Sequence, residues 1–108
     1  MTAPAPTRES IRRLTGLIQR ELDELYRSSA PLGPSSPLNQ AGLTDGAQIV
    51  DDYLDHNELG LAFEHLIYML VESGIDVTQA QFDEIATIGG DLGLPPSIWH
   101  GVSVHGEV

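Results

Sequence analysis

The sequence predicts an all-α protein: a small four-helix bundle with a Pro-rich loop between helices 1 and 2 and an irregular C-terminal tail. Three observations carry that expectation. Apolar residues recur at three- and four-residue steps in four separate segments, as helices with one buried face require. No segment alternates with a clean period of two, and the only β-like stretch, Val102 to Val104, is too short to count as a strand. The 7 prolines all lie outside those four segments. At 108 residues the chain fits one helical domain, 1–108. Surface scaling for a chain of this mass implies burial of about 65% of the unfolded surface, enough for one modest core.

Residues 1–6, with Pro4 and Pro6, read as a flexible tail. From Thr7, a plausible N-cap, Ile11, Leu14, Ile18, Leu22 and Leu25 follow at steps of 3, 4, 4 and 3 and form one helical stripe. Glu9 to Arg13 and Asp23 to Arg27 are favourably ordered i,i+4 pairs, so local spacing predicts a first helix that neutralises itself. Residues 28–43 hold three prolines and two glycines, which forbid a continuous helix and mark an internal Pro/Ser-rich linker or hinge.

A second helix is expected from near Thr44 to about His56, with Ile49, Val50, Tyr53 and Leu54 on one face. Asp45, Gln48, Asp51, Asp52 and Asp55 fall on the other. Asn57 is the expected cap of a third helix reaching Ser73, with the stripe Leu59, Ala62, Phe63, Leu66, Ile67 and Leu70 and with Gly74 as its C-terminal stop. Thr78-Gln79-Ala80-Gln81 is a capping box opening a fourth helix that buries Phe82, Ile85, Ala86 and Leu92, and Gly89-Gly90 is expected to weaken or close it. Pro95-Pro96 ends regular helix, Ile98 and Trp99 fold back as a lid, and residues 100–108 read as a loose C-terminal tail.

Charge sorts the function classes. The formal net charge is −11, with five Arg, no Lys and 16 acids. All five Arg precede residue 28. Residues 1–27 therefore carry +1, and residues 28–108, with 12 acids and no Lys or Arg, carry −12. Such a surface repels phosphate backbones and anionic lipid, so neither nucleic acid nor a membrane is expected as a direct partner. Without Lys there is no Walker-type phosphate loop or lysine Schiff base, and without Cys no thiolate nucleophile or Cys-ligated zinc. The leading residues lack the apolar run of a signal peptide and Leu66 to Val71 is too short to span a bilayer, which suggests a cytoplasmic protein.

No catalytic residue, cofactor or metal site is expected. H-E-x-x-H, G-x-S-x-G and G-x-G-x-x-G are all missing. Asp55 to Gly60 starts like a calcium loop, but Leu59 and Leu66 stand where oxygen ligands are needed. His100 and His105, with Glu107, fit no standard ligand spacing. Adjacent acids such as Asp51-Asp52 and Asp83-Glu84 diverge by about 100° on a helix and do not converge on a substrate. On the third helix, Leu61, His65, Tyr68 and Glu72 form a row opposite the main stripe, flanked by Glu58 and Glu64. That row has the composition of an interface with an aromatic anchor and a charged rim; alternatively, Leu61 and Tyr68 pack against residues 29–43.

The segment Ile49 to Leu66, reading IVDDYLDHNELGLAFEHL, resembles the Maf-family immunity proteins of bacterial polymorphic toxin systems. The likeness rests on Tyr53-Leu54, on Glu58 in a small turn and on Leu61-Ala62-Phe63-Glu64-His65-Leu66 opening the next helix. It continues through Leu70, Glu72, Phe82, Ile85 and Leu92 to Leu94. The Pro-rich linker and the Phe63 position depart from the pattern. The resemblance implies an antitoxin that binds and neutralises a cognate secreted toxin domain, often a nuclease, with no enzymatic activity of its own. A basic toxin surface would complement the acidic helices. The candidate toxin-binding residues are Asp51, Asp52, Asp55, Glu58, Leu61, Glu64, His65, Tyr68 and Glu72. Glu58 also has a purely structural role open to it, at the positive end of the third helix. The alternative from the residues alone is a non-enzymatic helical adaptor or self-associating module, a homo-oligomer built on the Leu61–Tyr68 row.

Overall fold

The computed structural model describes residues 5–28 and 45–105, which form four α-helices: α1 (Ala5–Ser28), α2 (Gly46–Asp55), α3 (Leu59–Ser73) and α4 (Gln79–Asp91). A short 3-10 turn, Pro96–Ile98, follows. The fold is the expected small all-α bundle. The expected linker 28–43 lies outside the described residues except for Ser28, as do Thr44, residues 1–4 and residues 106–108. No helix among the described residues is long and apolar enough to cross a membrane.

The α1 stripe buries Ile11, Leu14, Ile18 and Leu22 as its spacing predicts, with Leu25 half-buried at its end. The start of α1 differs. The helix begins at Ala5, inside the expected tail, and Thr7 is buried within its first turns instead of capping it. Val50 and Leu54 anchor α2, while Tyr53 stays half-buried against the core. Besides its expected stripe, α3 buries Met69, which the Cβ-less Gly46 admits: a Cβ there would stand 2.5 Å from the Met69 Cε.

Helix α1 runs antiparallel to α2 and satisfies both of its ends. The Gln19 side chain accepts the Ala47 N–H at 2.8 Å, which matters because Asp45, at the N-cap position, makes no side-chain cap bond. At the other end Arg8 donates to the Leu54 carbonyl and, at 2.7 Å, to the Asn57 Oδ1. Asn57 is therefore not the α3 cap. Its φ of 59° is left-handed, and the Glu58 N–H to Tyr53 carbonyl (2.8 Å) and Asn57 N–H to Leu54 carbonyl (3.0 Å) bonds close α2 in a Schellman motif. Glu58 occupies the α3 N-cap position without a side-chain cap bond.

The Thr78–Gln81 capping box forms in both directions, at 3.0 and 2.9 Å. Contrary to expectation, α4 runs through Gly89-Gly90 to Asp91 and closes at Gly93, whose φ is 75°; the Leu94 N–H bonds the Gly89 carbonyl at 2.9 Å. The physical reason is tertiary. The Trp99 ring lies on the bare Cα of Gly89, where a Cβ would meet Cζ3 at 2.1 Å, and it packs edge-on to Phe63 at 5.9 Å between centroids. Residues 100–105 are likewise no loose tail. Val102 is buried, and the segment pairs with Val77 through Val77 N–H to Ser103 carbonyl (2.9 Å) and His105 N–H to Val77 carbonyl (2.6 Å).

Candidate functional site

Six of the nine residues expected to meet a partner fall into two groups, one on either flank of α2. Asp51 and Asp55, one turn apart, point toward α1, where Arg12 Nε lies 3.2 Å from Asp51 and Arg12 Nη2 lies 3.7 Å from Asp55. Arg13 pairs with Glu84 of α4. The expected neutralisation of α1 by its own acids is thus mostly replaced by pairing between helices. Arg13 leaves Glu9 for Glu84, and Arg27 takes Glu24 at 2.6 Å in place of Asp23. Local helix spacing sees only partners on the same helix, and α1 has close neighbours on two sides.

Tyr53 stands about 160–200° around α2 from Asp51 and Asp55 and faces the other flank. There it joins Leu61, Glu64, His65 and Tyr68 of α3 around an open cleft of about 250 Å³. Four of the nine expected residues therefore line one site. Leu61 is 45% exposed and stands beside the rings of Tyr53, His65 and Tyr68. His65 lies against Tyr68 with centroids 5.2 Å apart and ring planes 32° from parallel, so the α3 row presents a stacked pair rather than two separate rings. Leu61 is exposed and Tyr68 half-buried; the second option for this row, packing of Leu61 and Tyr68 against residues 29–43, lies outside the described residues.

Comparison with protein-family models, curated proteins and solved structures finds no match to this chain. The site is therefore argued from its own geometry. Asp52 and Glu58 are exposed beside the α2–α3 turn, and Glu72 is exposed one turn beyond Tyr68. None of the ion pairs among the described residues reaches Asp52, Glu58, Glu64 or Glu72. His56, at the end of α2, has its pKa raised from the ordinary 6.5: its Nδ1 donates to the Asp52 carbonyl at 2.7 Å, which outweighs an opposing desolvation, and the carboxylates of Glu58, Asp52 and Asp55 add to the rise.

The sequence missed Tyr53 as a lining residue by placing it wholly on the core face. At 100° per residue Tyr53 falls inside the stripe, between Ile49 and Val50, so spacing on α2 alone carries no signal that it lines a second surface. No group of three or more His, Asp or Glu placed to hold a metal ion occurs among the described residues. The site offers shape, aromatic surface and negative charge, which suit binding.

Proposed function

We propose that this protein is a cytoplasmic immunity protein that binds and neutralises a cognate secreted toxin domain through the α2–α3 face. The observation that carries the proposal is the cleft of Tyr53, Leu61, Glu64, His65 and Tyr68, an aromatic and aliphatic pocket set in a surface whose acids the α1 arginines do not reach. It falls within the segment that resembles the Maf-family immunity proteins. An anchor of this composition inside a charged rim is the usual anatomy of a specific interface. The rim's sign selects a basic partner, and a nuclease cleft built to hold phosphates is one such surface.

Self-association is the weaker reading, although exposed Leu61 invites it. Two copies meeting face to face would bring the Glu58, Glu64 and Glu72 row of one against the same row of the other, and like-charge juxtaposition opposes such pairing. The test is co-expression with the toxin encoded next to this chain. Protection of the host, together with a stoichiometric complex on size exclusion, supports the proposal; loss of both in a soluble, folded pair removes it. Light scattering of the isolated chain is expected to give a monomer, and a dimer abolished by Tyr68→Ala would favour self-association.

A further inference from the structure

Resting on that reading and narrowing it, we infer that the α2–α3 cleft is a receptor for one arginine side chain of the partner. Tyr53, Leu61, Glu64, His65 and Tyr68 line an open cleft of about 250 Å³, space on the scale of a single side chain. Each lining group matches a part of arginine. The faces of Tyr53 and Tyr68 attract a cation, and the His65 ring packs tilted against Tyr68 at 5.2 Å between centroids. Glu64 supplies a carboxylate to a guanidinium, a pair that forms charge-assisted and often bidentate bonds. Leu61, exposed at the rim, covers an aliphatic stem.

Arginine suits this lining better than lysine. Its planar, weakly hydrated head stacks on rings and forks onto a carboxylate at once, whereas an ammonium is a strongly hydrated point charge. Four of the chain's five arginines are engaged elsewhere: Arg12 with Asp51 and Asp55, Arg13 with Glu84, Arg27 with Glu24, and Arg8 with the Leu54 carbonyl and Asn57. Glu58 and Glu72 extend the negative row to either side of the cleft, which favours a cation there and disfavours a carboxylate or phosphate. The larger opening between α1 and the end of α3, lined by Glu21, Glu24 and Asp76 among others, is acidic too. None of its described lining residues is aromatic, and Glu24 already holds Arg27, so among the described residues it lacks the stacking half of the site.

The test is an NMR titration of the full chain with N-acetylarginine amide, its neutral isostere N-acetylcitrulline amide and N-acetyllysine amide. Saturable shifts are expected for Tyr53, Leu61, Glu64, His65 and Tyr68, with the citrulline probe about tenfold weaker or more because the ion pair is gone. Glu64→Gln, an exposed and structurally mild change, is expected to weaken the arginine probe several-fold, as is Tyr68→Ala. Tyr68→Phe keeps the ring and most of the affinity, and Asp76→Asn in the other acidic opening leaves it unchanged. Equal binding of citrulline, shifts spread over every acidic face, or a Glu64→Gln effect no larger than that of Asp76→Asn overturns the inference. The two proposals fail separately: a toxin complex that forms while the arginine probe leaves the cleft unshifted removes the arginine site alone. A probe that binds the cleft while no toxin complex forms removes the immunity function alone.

Discussion

Two adjacent glycines in α4 are expected to respond to alanine with opposite signs. Both lie in the last turn of α4, and replacing a helical glycine by alanine gains at most about 0.8–1.0 kcal/mol through backbone entropy. At Gly90 nothing lies within 4 Å of the added Cβ, so Gly90→Ala should realise that gain. At Gly89 the Cβ would stand 2.1 Å from Trp99 Cζ3 and 2.6 Å from Cη2. Ordinary contact begins near 3.4 Å, so the ring must retreat by the difference between 3.4 and 2.1 Å. It has little room: Phe63 meets it edge-on at 5.9 Å, and the 3-10 turn just before it fixes its backbone.

Overpacking a fixed core site costs about 1–3 kcal/mol beyond any propensity gain. Complete expulsion of the indole sets the ceiling, because burying about 150–250 Å² of aromatic surface is worth about 4–6 kcal/mol. Gly89→Ala and Gly90→Ala are therefore expected to differ by about 2–4 kcal/mol, or roughly 10–20 °C in melting temperature for a domain of this size. Urea denaturation gives the free energies. The single tryptophan gives an independent readout, since its emission should move to longer wavelength in Gly89→Ala only. If Gly89→Ala is as stable as Gly90→Ala and leaves native emission unchanged, the packing of Trp99 on Gly89 is refuted.

Four further outcomes follow from the same structure. Thr78→Ala should cost about 1 kcal/mol by removing one half of the α4 capping box, with Thr78→Ser restoring most of it in urea melts. Arg12→Ala should cost no more than about 1 kcal/mol, and less in high salt, because Arg12, Asp51 and Asp55 are all about half exposed or more. His56 should titrate above the ordinary 6.5 by NMR, through its bond to the Asp52 carbonyl and then the nearby carboxylates. Protonated His56 then favours the folded state, a contribution fully present below the unfolded pKa and lost as pH rises through the folded one; a value at or below 6.5 contradicts it. In toxin binding, Asp52→Asn and Asp55→Asn should slow association to similar extents at low salt and hardly at all near 1 M, whereas Glu64→Gln and Tyr68→Ala should mainly speed dissociation.

Local rules were enough for most of the elements and too short-sighted for the site. Ile11, Leu14, Ile18 and Leu22 are legible because a stripe needs only its own spacing, and Thr78 with Gln81 because a capping box spans four residues. The Gly89-Gly90 pair was misjudged because intrinsic propensity carries no knowledge of Trp99, ten residues on, which makes the missing Cβ an asset. Met69 escaped the α3 stripe because its burial depends on Gly46 of another helix. The Arg12–Asp51 and Arg13–Glu84 pairs join positions 39 and 71 residues apart, beyond any helical spacing rule. At the site, Leu61, Glu64, His65 and Tyr68 shared a visible row, but which α2 residue would close the cleft depended on how α2 rotates against α3. The Arg8 and Gln19 contacts to α2 help to set that rotation.

The division of acids between the two flanks of α2 bears directly on how a basic partner would be recognised. Long-range attraction depends on net charge, and each carboxylate changes it by one unit whether or not an arginine stands beside it. Asp55 and Asp52 should therefore matter alike during approach, when the partner is still about a Debye length away. Contact is different. To engage Asp51 or Asp55 a partner must displace Arg12, exchanging one exposed ion pair for another at little net gain. Glu64 requires no such exchange with the chain's arginines and sits beside Tyr53, Leu61 and Tyr68, where desolvation by the partner strengthens each interaction. The fold thus uses α1 both to hold α2 in place and to occupy the acids on one flank, which leaves the α3 flank as the face where charge and aromatic surface would act together on the proposed partner.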